Sequence, residues 1–211
     1  MSTLIIPWKL ERPLPPFEGG DIRYPEGLVR HFIKTHTKTG DRVFDPFAGH
    51  GTTLFVAEDM RRIPYGMEAD EQRHAWAAGQ LDHWQNMRLG DSAAMGRMNF
   101  PKMDFCMTSP PFMPKRDKWN PLYAGNPKFA GYDRYLTRLE TIFTCLKPIM
   151  KRGAKLVVQV DNLTRGNVFT PLVRDMGTAI SQSFTQIDEH IILWKTPRPG
   201  YDHTTCLVFT A

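Results

Sequence analysis

The sequence DFCMTSPPF, residues 104–112, joins an apolar run to a rigid corner and decides how the rest of the chain is arranged. The run Phe105–Thr108 predicts a strand buried inside a parallel sheet. Because neither of the two prolines that follow has an amide hydrogen to donate to a neighbouring strand, the strand must end at Ser109. The corner then presents carbonyl acceptors beside the ring of Phe112. An ordinary strand-ending turn is the alternative, and a second pattern upstream argues against it.

The second pattern is DPFAGHGTT, residues 45–53, which stands between a predicted strand and a helix that begins at Leu54. A glycine turn between a strand and a helix lets a ligand approach bare backbone and face the helix N-terminus. Thr52 and Thr53 follow Gly51 where a phosphate-binding loop would carry lysine, which argues against a nucleoside-triphosphate site. A dinucleotide-binding fold would have a third glycine in place of Leu54.

Two carboxylates that follow the glycine turn along the chain are candidates for binding a nucleoside. Glu68 ends the predicted strand 62–67 and stands 68 − 51 = 17 residues after Gly51, where it is placed to accept both hydroxyls of a ribose. A solvated carboxylate is the alternative for Glu68. Asp91 is placed to accept from an adenine amino group, although a helix N-cap is an equally good interpretation.

Strands and helices alternate along the chain. Helices are predicted at 24–37, 54–61, 71–84, 132–150 and, in the main, 167–184, and strands at 42–47, 62–67, 105–108, 155–160, 189–194 and 204–209. This order predicts an α/β fold with helices on both faces of the sheet. The last strand follows its neighbour after a short connection and should therefore be antiparallel.

The length of 211 residues suits one domain. Residues 1–23 are rich in proline and are predicted to form an extended arm rather than an element, which leaves 24–211 as the single domain. The three cysteines are scattered, form no CxxC pair and favour a reducing cytoplasm. No apolar run is long enough for a membrane span, and Leu4–Trp8 lacks the basic flank of a signal peptide.

Most of the net charge lies just after the corner. The chain has 27 basic and 22 acidic residues, a net charge of +5, which permits a polyanionic partner without requiring one. Residues 113–138 contain six basic and two acidic residues, so this window carries 6 − 2 = +4. Its first part, 113–131, is long for a connection and mixes aromatic rings with cations, which suits base stacking and phosphate contact. A solvated basic loop is the alternative.

Together the two motifs resemble those of the S-adenosylmethionine-dependent DNA amino-methyltransferases. In that family a motif of the form DPFxGxGTT binds the cofactor, and one of the form (S/D/N)PP(Y/F/W) is the catalytic corner. The resemblance implies a Rossmann-like class I methyltransferase fold, with a seven-stranded, mostly parallel sheet and an antiparallel last strand. It also implies a cytoplasmic enzyme of DNA methylation, as in restriction–modification systems. The order TSPPF is most similar to the cytosine-N4 branch, with Phe112 in place of the commoner tyrosine.

The resemblance implies roles for individual residues. Phe47, Gly49 and Gly51 would wrap the methionine part of the cofactor, Glu68 would hold its ribose and Asp91 its adenine. The whole cofactor-binding set is Tyr24, Pro25, Asp45, Pro46, Phe47, Gly49, Gly51, Thr52, Thr53, Glu68, Asp91 and Thr108. The catalytic set is Ser109, Pro110, Pro111 and Phe112. The nucleic-acid-binding set is Lys115, Arg116, Lys118, Trp119, Tyr123, Lys128, Lys195 and Arg198, and no metal is implied.

The chemistry gives the corner a purpose. The lone pair of an exocyclic amine is delocalised into the base, so the amine is a poor nucleophile. Hydrogen bonds from the amine to the Ser109 hydroxyl and the Pro110 carbonyl would favour a pyramidal nitrogen whose lone pair points at the methyl group. Positioning and electrostatics carry such a transfer. The base must leave its stack to reach the pocket, where Phe112 could stack on it.

The chain departs from the family in its recognition surface. Asp91 and Thr108 are 108 − 91 = 17 residues apart, which leaves no room for a separate target-recognition domain. Residues 113–131 and 195–203 would then read a short site, or a second subunit, in a homodimer or as a specificity partner, would supply the reading. A third explanation is a substrate other than duplex DNA. An N-methyltransferase acting on RNA or a small molecule, and a non-catalytic methyltransferase-like subunit, therefore stay open as alternatives.

Overall fold

The computed structural model describes residues 2–20, 23–198 and 201–211. Within these ranges the strands are β1 Ser2–Ile6, β2 Arg42–Asp45, β3 Ile63–Glu68, β4 Met87–Leu89, β5 Met103–Thr108, β6 Met150–Val160, β7 Leu163–Arg165, β8 Val168–Thr170, β9 Thr185–Arg198 and β10 Tyr201–Thr210. The α-helices are α1 Glu26–His36, α2 Thr52–Asp59, α3 Glu71–Ala78, α4 Tyr132–Leu146 and α5 Leu172–Ile180. Short 3₁₀ turns lie at Trp84–Asn86, Ser92–Arg97, Pro121–Tyr123, Pro127–Phe129 and Lys147–Ile149.

Eight of these strands form one sheet, in the order β1-β9-β10-β6-β5-β2-β3-β4. Neighbouring strands are parallel from β4 across to β6. The last strand, β10, runs antiparallel to both β6 and β9, so β9 points the same way as the rest of the sheet. The predicted α/β fold with an antiparallel last strand is therefore confirmed, and the sheet has one strand more than the seven expected.

The additional strand comes from the N-terminal arm. Ser2–Ile6 pairs in parallel with residues 190–194 of β9 at the edge of the sheet. The prediction that residues 1–23 contain no element was therefore wrong for this segment. Leu4, Ile5 and Ile6 are aliphatic residues that suit a strand, and Ile6 is buried in the apolar cluster around α1.

Two further expectations are corrected by the strand pattern. The segment 167–184 does not begin as a helix, because β8 pairs with β7 in a hairpin. Gly166, at φ +59°, lies in the turn, in a conformation that glycine adopts without strain. Residues 195–198 of the predicted loop 195–203 are strand, because β9 continues until Arg198 pairs with Tyr201 of β10.

Helices cover both faces of the sheet. On β5, Phe105 and Met107 lie in the apolar cluster that contains residues of α1 and α2, whereas Cys106 lies in the cluster that contains residues of α4 and α5. Successive residues of a strand point to opposite faces, which explains this alternation. Helix α1 buries Leu28 and Phe32, which are one turn apart on the face that meets the sheet.

Parallel pairing brings the carboxyl ends of β2, β3 and β5 together along the carboxyl-terminal edge of the sheet, where Asp45, Glu68 and Thr108 end their strands. Ligands of open α/β sheets bind outside this edge. The fold therefore places both sequence motifs on the side of the sheet where a ligand is expected. Across the ranges that the structure describes, no α-helix combines the length and the apolar character needed to cross a membrane.

Candidate active site

Asp45, at the end of β2, joins the two motifs. It is 1% exposed. Its Oδ1 atom accepts hydrogen bonds from the Thr108 hydroxyl at 2.6 Å and from the Phe47 amide at 2.9 Å, and its Oδ2 atom accepts from the Tyr24 hydroxyl at 3.3 Å. The Tyr24 hydroxyl also lies 2.5 Å from the Thr53 hydroxyl. One carboxyl group therefore fixes the glycine loop, the strand before the corner and the segment ahead of α1.

The burial of this network changes its acid–base chemistry. Burial raises the pKa of Asp45 to about 6, although hydrogen bonds from Thr108 and Phe47 favour the ionised form. Burial also raises the pKa of the Tyr24 hydroxyl well above its ordinary value, and the nearby charge of Asp45 adds to that rise. The Tyr24 hydroxyl therefore stays protonated and able to donate throughout the physiological range.

The glycine loop needs its glycines for two different reasons. Gly49 at φ +52° and Gly51 at φ +87° both lie in the left-handed region that favours glycine. Gly51 is the N-cap of α2, and a Cβ atom at this position would lie only 2.9 Å from the Phe55 ring. A Cβ atom at Gly49 would instead meet only the Phe47 carbonyl oxygen within 4 Å, at 3.9 Å. The backbone of Gly49 therefore faces open space that can admit a ligand.

Glu68 braces the glycine loop from the end of β3. Its Oε2 atom accepts from the Gly49 amide at 2.8 Å and its Oε1 atom accepts from the Asp70 amide at 2.9 Å. Each carboxylate oxygen can accept a second hydrogen bond, and the side chain is partly exposed. A bare glycine backbone, open space in front of it and a partly free carboxylate beside it fit the cofactor that the resemblance implies.

Several residues predicted to contact the cofactor are buried in the structure. They are Pro25, Asp45, Pro46, Gly51, Thr52, Thr53 and Thr108. Contact between these residues and the cofactor stays a prediction. The members of the predicted set that retain accessible surface are Tyr24, Phe47, Gly49, Glu68 and Asp91.

The corner follows β5 as the sequence predicts. The hydroxyl of Ser109, which is half-buried, donates to Oε1 of Gln159 at 2.6 Å. The Pro111 carbonyl accepts from the Tyr135 hydroxyl of α4 at 3.0 Å. Within the described ranges no donor bonds to the Pro110 carbonyl oxygen. The Ser109 oxygen and the Pro110 carbonyl therefore keep lone pairs without a partner among the described residues, and their role as acceptors for a base amine stays a prediction.

The ring of Phe112 borders the corner on the α4 side of the sheet. It packs against the apolar cluster that contains Tyr132 and Tyr135, and it stays half-buried. Part of its surface is therefore accessible, and its role in stacking on a base stays a prediction. Pro111 beside it is exposed, whereas Pro110 is buried.

Asp91 caps the 3₁₀ turn that follows β4, as one of its two interpretations requires. Its Oδ1 atom accepts from the Ala93 amide at 2.9 Å, and its Oδ2 atom is paired with Arg138 of α4. The Asp91 side chain is nevertheless 51% exposed. Its role in binding adenine stays a prediction. In that role the carboxylate would bind adenine while it also caps the turn and pairs with Arg138.

Residues 113–131 fold into a loop with a small core of its own. Tyr123 stacks on Phe129 with the ring centroids 4.2 Å apart, and the guanidinium of Arg138 lies 4.6 Å from the Tyr123 centroid. Tyr123 nevertheless stays half-buried, and its role in stacking on a base stays a prediction. Trp119 is 62% exposed and remains accessible.

The predicted cations lie on the outside of the molecule. Those that the structure describes are all exposed, namely Lys115, Arg116, Lys118, Lys128 and Lys195. The side chain of Arg198 lies outside the described residues. Lys115, Arg116 and Lys118 closely follow the corner 109–112 in sequence, and their contact with phosphate groups stays a prediction.

The β7–β8 hairpin is an element beside the site that sequence reasoning missed. Arg165 of β7 forms an ion pair with Asp117 of the loop, and the Thr170 hydroxyl accepts from the Lys115 amide at 2.8 Å. The hairpin therefore holds the start of the basic loop in place. The signal was present in the alternating segment LTRGNVFT, residues 163–170, with a glycine at its centre.

The N-terminal segment supports the glycine loop from outside, which the sequence also did not reveal. Glu18 Oε1 accepts from Arg73 Nε at 2.7 Å and lies 2.9 Å from His50 Nε2. These hydrogen bonds, with Arg73 the stronger, hold the pKa of Glu18 below its ordinary value. His50 is buried and bonded to Glu18, which suits an anchor of the loop rather than a catalytic base.

Comparison with known proteins agrees with the interpretation of the first of the two motifs. A family model described as DNA methylase matches residues 16–79, the segment that contains the glycine loop and Glu68. The type II methyltransferase M.BglII from Bacillus subtilis is 38% identical over 50 residues, which are 24% of this chain and 14% of that protein. The similarity therefore concerns a small part of the relative's length.

Solved structures share the fold over most of the chain. TrmN from Thermus thermophilus superposes with a TM-score of 0.62 at 16% identity, over 88% of this chain and 48% of that one. Fibrillarin from Aeropyrum pernix, in complex with natively bound S-adenosyl-L-methionine, superposes with a TM-score of 0.56 at 13% identity, over 88% and 73% of the two chains. At such identities the superpositions show the fold alone, which is that of the class I methyltransferases. The sequence matches to DNA methylases therefore cover a part of this chain, whereas the fold is shared over most of it.

Proposed function

We propose that this chain transfers a methyl group from S-adenosyl-L-methionine to the exocyclic amino group of a base in DNA, with cytosine N4 favoured over adenine N6. The observation that carries the proposal is the 2.6 Å hydrogen bond between Thr108 and Asp45, because it ties the corner to the glycine loop. The match to DNA methylases covers the loop side of this contact. The sequence TSPPF on the other side supports the preference for cytosine.

The surroundings of the glycine loop support the cofactor assignment. Glu68 would accept from the ribose hydroxyls, and the open space at Gly49 would admit the methionine part beside Phe47. Asp91 would accept from the adenine amino group with the lone pairs that Ala93 and Arg138 leave free. When bound, the cofactor supplies an electrophilic methyl group. The part of the chain is then to orient the amine.

The corner supports the orientation of an amine. Ser109 and the Pro110 carbonyl offer two acceptors for the two hydrogens of an exocyclic amino group, which favours a nitrogen lone pair that is free to attack. The Tyr135 hydroxyl holds the Pro111 carbonyl from α4, so the corner is fixed from behind. Acceptors that are already in place need no rearrangement during the reaction.

The outer surface supports a polyanionic substrate. Lys115, Arg116 and Lys118 are exposed directly after the corner, where they can contact phosphate groups, and Trp119 is free to stack. Phosphate contacts position a nucleic acid without reading its sequence. A homodimer or a specificity partner would enlarge this small recognition surface.

The substrate class is tested with three separate pools. The protein is incubated with methyl-labelled S-adenosyl-L-methionine and either duplex DNA, RNA or free nucleosides, and the nucleosides are then analysed by mass spectrometry. We expect label in N4-methylcytosine from DNA. Label confined to RNA or to free nucleosides would replace the DNA assignment by one of the alternatives. Absence of label from a protein that binds the cofactor would indicate a non-catalytic subunit.

A further inference from the structure

The hydroxyl of Ser109 has a fixed partner on the neighbouring strand β6. Ser109 Oγ lies 2.6 Å from Oε1 of Gln159, whose side chain is buried. The other end of the amide is also bonded, because Nε2 lies 2.6 Å from Thr204 Oγ1 and 3.1 Å from Asp161 Oδ2. A buried amide is stable only when its polar atoms have partners, and this one has them at both ends. Gln159 therefore links the catalytic corner to β10 and to Asp161.

Asp161 determines which end of the amide faces Ser109. An ionised carboxylate only accepts hydrogen bonds, so the NH₂ group of Gln159, and not its oxygen, must face Asp161. Burial raises the pKa of Asp161, and the hydrogen bonds that its carboxylate accepts from the Thr204 hydroxyl and the Thr205 amide oppose that rise. If the amide were reversed, its oxygen would meet the carboxylate oxygen. The oxygen of Gln159 is therefore directed at Ser109.

An amide oxygen has no hydrogen, so Ser109 must donate its single hydroxyl proton to Gln159. We propose that Gln159, held by Asp161 and Thr204, is a positioning residue that makes Ser109 solely an acceptor for the amino group of the target base. This inference rests on the proposed function. A hydroxyl that was free to rotate could donate to the lone pair of the amine, the same lone pair that has to attack the methyl group. Fixing the hydroxyl on Gln159 prevents that unproductive hydrogen bond.

The direction of these bonds also determines where the proton goes. The bond between the nitrogen and the methyl carbon forms while the bond between carbon and sulfur breaks, and sulfur keeps the electron pair. The nitrogen then carries one proton too many. Ser109 cannot pass this proton to Gln159, because an amide oxygen is only weakly basic. The proton therefore leaves to water.

The test compares five variants with wild type in full-length protein, with DNA as substrate and the cofactor at saturation. Gln159→Leu should lower kcat on the order of 10- to 100-fold, less than or equal to the effect of removing Ser109 itself. Its affinity for the cofactor should stay unchanged in calorimetry. In a Ser109→Ala background, Gln159→Leu should have no further effect, because the hydroxyl that it positions is absent. Gln182→Leu, at an exposed glutamine, is the matched control.

The double variant Gln159→Glu with Asp161→Asn exchanges amide and carboxylate and keeps an acceptor in front of Ser109. It should recover at least about tenfold of the turnover lost in Gln159→Leu, which loss of folding or packing alone does not predict.

Independent effects of Gln159→Leu and Ser109→Ala, or full activity in Gln159→Leu, would overturn the inference while the proposed function stands. Absence of methyl transfer by wild type would instead overturn the proposed function. If Gln159→Leu does not fold, the double variant and hydrogen exchange of the Gln159 side-chain amide, measured by NMR, test the inference. Amide hydrogens of Gln159 that exchange as rapidly as those of Gln182 would contradict it.

Discussion

At the scale of single residues, Asp45 makes the stability of the protein depend on pH. Its pKa of about 6 in the folded protein lies above the value of about 3.9 for an unfolded chain. Between these values the folded protein holds a proton that the unfolded chain has lost. The contribution of Asp45 to the free energy of unfolding therefore falls as the pH rises through this window.

The variant Asp45→Asn keeps the size of the side chain and an acceptor for Thr108 but removes the titration. We expect the free energy of unfolding of the wild type, relative to that of this variant, to fall by about 1–2 kcal/mol between about pH 5 and about pH 8. Urea unfolding at the two pH values measures this difference. A difference that is independent of pH, or that moves in favour of the wild type, would contradict the burial of a titrating carboxyl group.

Replacement of Gly49, compared with a control glycine, distinguishes a blocked ligand site from the effect of backbone strain. In Gly49→Val the new side chain enters the space proposed for the cofactor, so we expect binding of S-adenosyl-L-methionine to be lost in calorimetry. Gly40→Val is the matched control, because Gly40 has φ +84° and open space around it but lies before β2, away from the glycine loop. Both variants carry the strain of a β-branched residue at positive φ. Equal loss of binding in both, or retention of binding in Gly49→Val, would remove the cofactor from this loop.

At the scale of elements, the loop 113–131 should behave as a phosphate-binding surface. Replacing Lys115, Arg116 and Lys118 by Ala should weaken DNA binding about equally across sequences, because phosphate contacts carry no sequence information. The slope of log affinity against log salt should flatten by about 0.9 for each phosphate group that the variant no longer neutralises. Fluorescence anisotropy at several salt concentrations measures both effects. The control replaces Lys34, Lys38 and Arg152, which are exposed and precede β2 or begin β6. If the slope of log affinity against log salt is unchanged in the loop variant, the loop is solvated and does not contact phosphate groups.

The elements also show what sequence patterns can and cannot predict. The buried strand 105–108 and the helix from Tyr132 were predictable, because apolar runs, prolines and helical spacing are local signals. The strand β1 was missed because the prolines that follow it dominate the composition of the arm, and its pairing with β9 is a contact between distant parts of the chain. The short β7–β8 hairpin was missed because its strands have three residues each. The packing of Tyr123 against Phe129 and Arg138 was not predictable, because Arg138 meets the Tyr123 ring only when the loop folds onto α4.

At the scale of the whole molecule, the order of the elements was enough to predict that both motifs meet at one edge of the sheet. The sequence did not show which motif residues touch a ligand and which hold the motifs together. The structure shows that Asp45, Thr53 and Thr108 are buried, and their contact with the cofactor stays a prediction. It also adds Gln159, which carries no motif and reaches Ser109 only because β6 lies beside β5.

We propose that a base amine in DNA is methylated at the corner formed by Ser109 and Pro110. The most direct measurement is the single-turnover transfer of a labelled methyl group to duplex DNA by wild type, Ser109→Ala and the control Ser181→Ala, at an exposed serine. We predict labelled N4-methylcytosine with wild type and the control, and a rate about 10²–10³-fold lower with Ser109→Ala at unchanged cofactor affinity. A Ser109→Ala protein that methylates DNA at the wild-type rate would show that the chemistry takes place elsewhere.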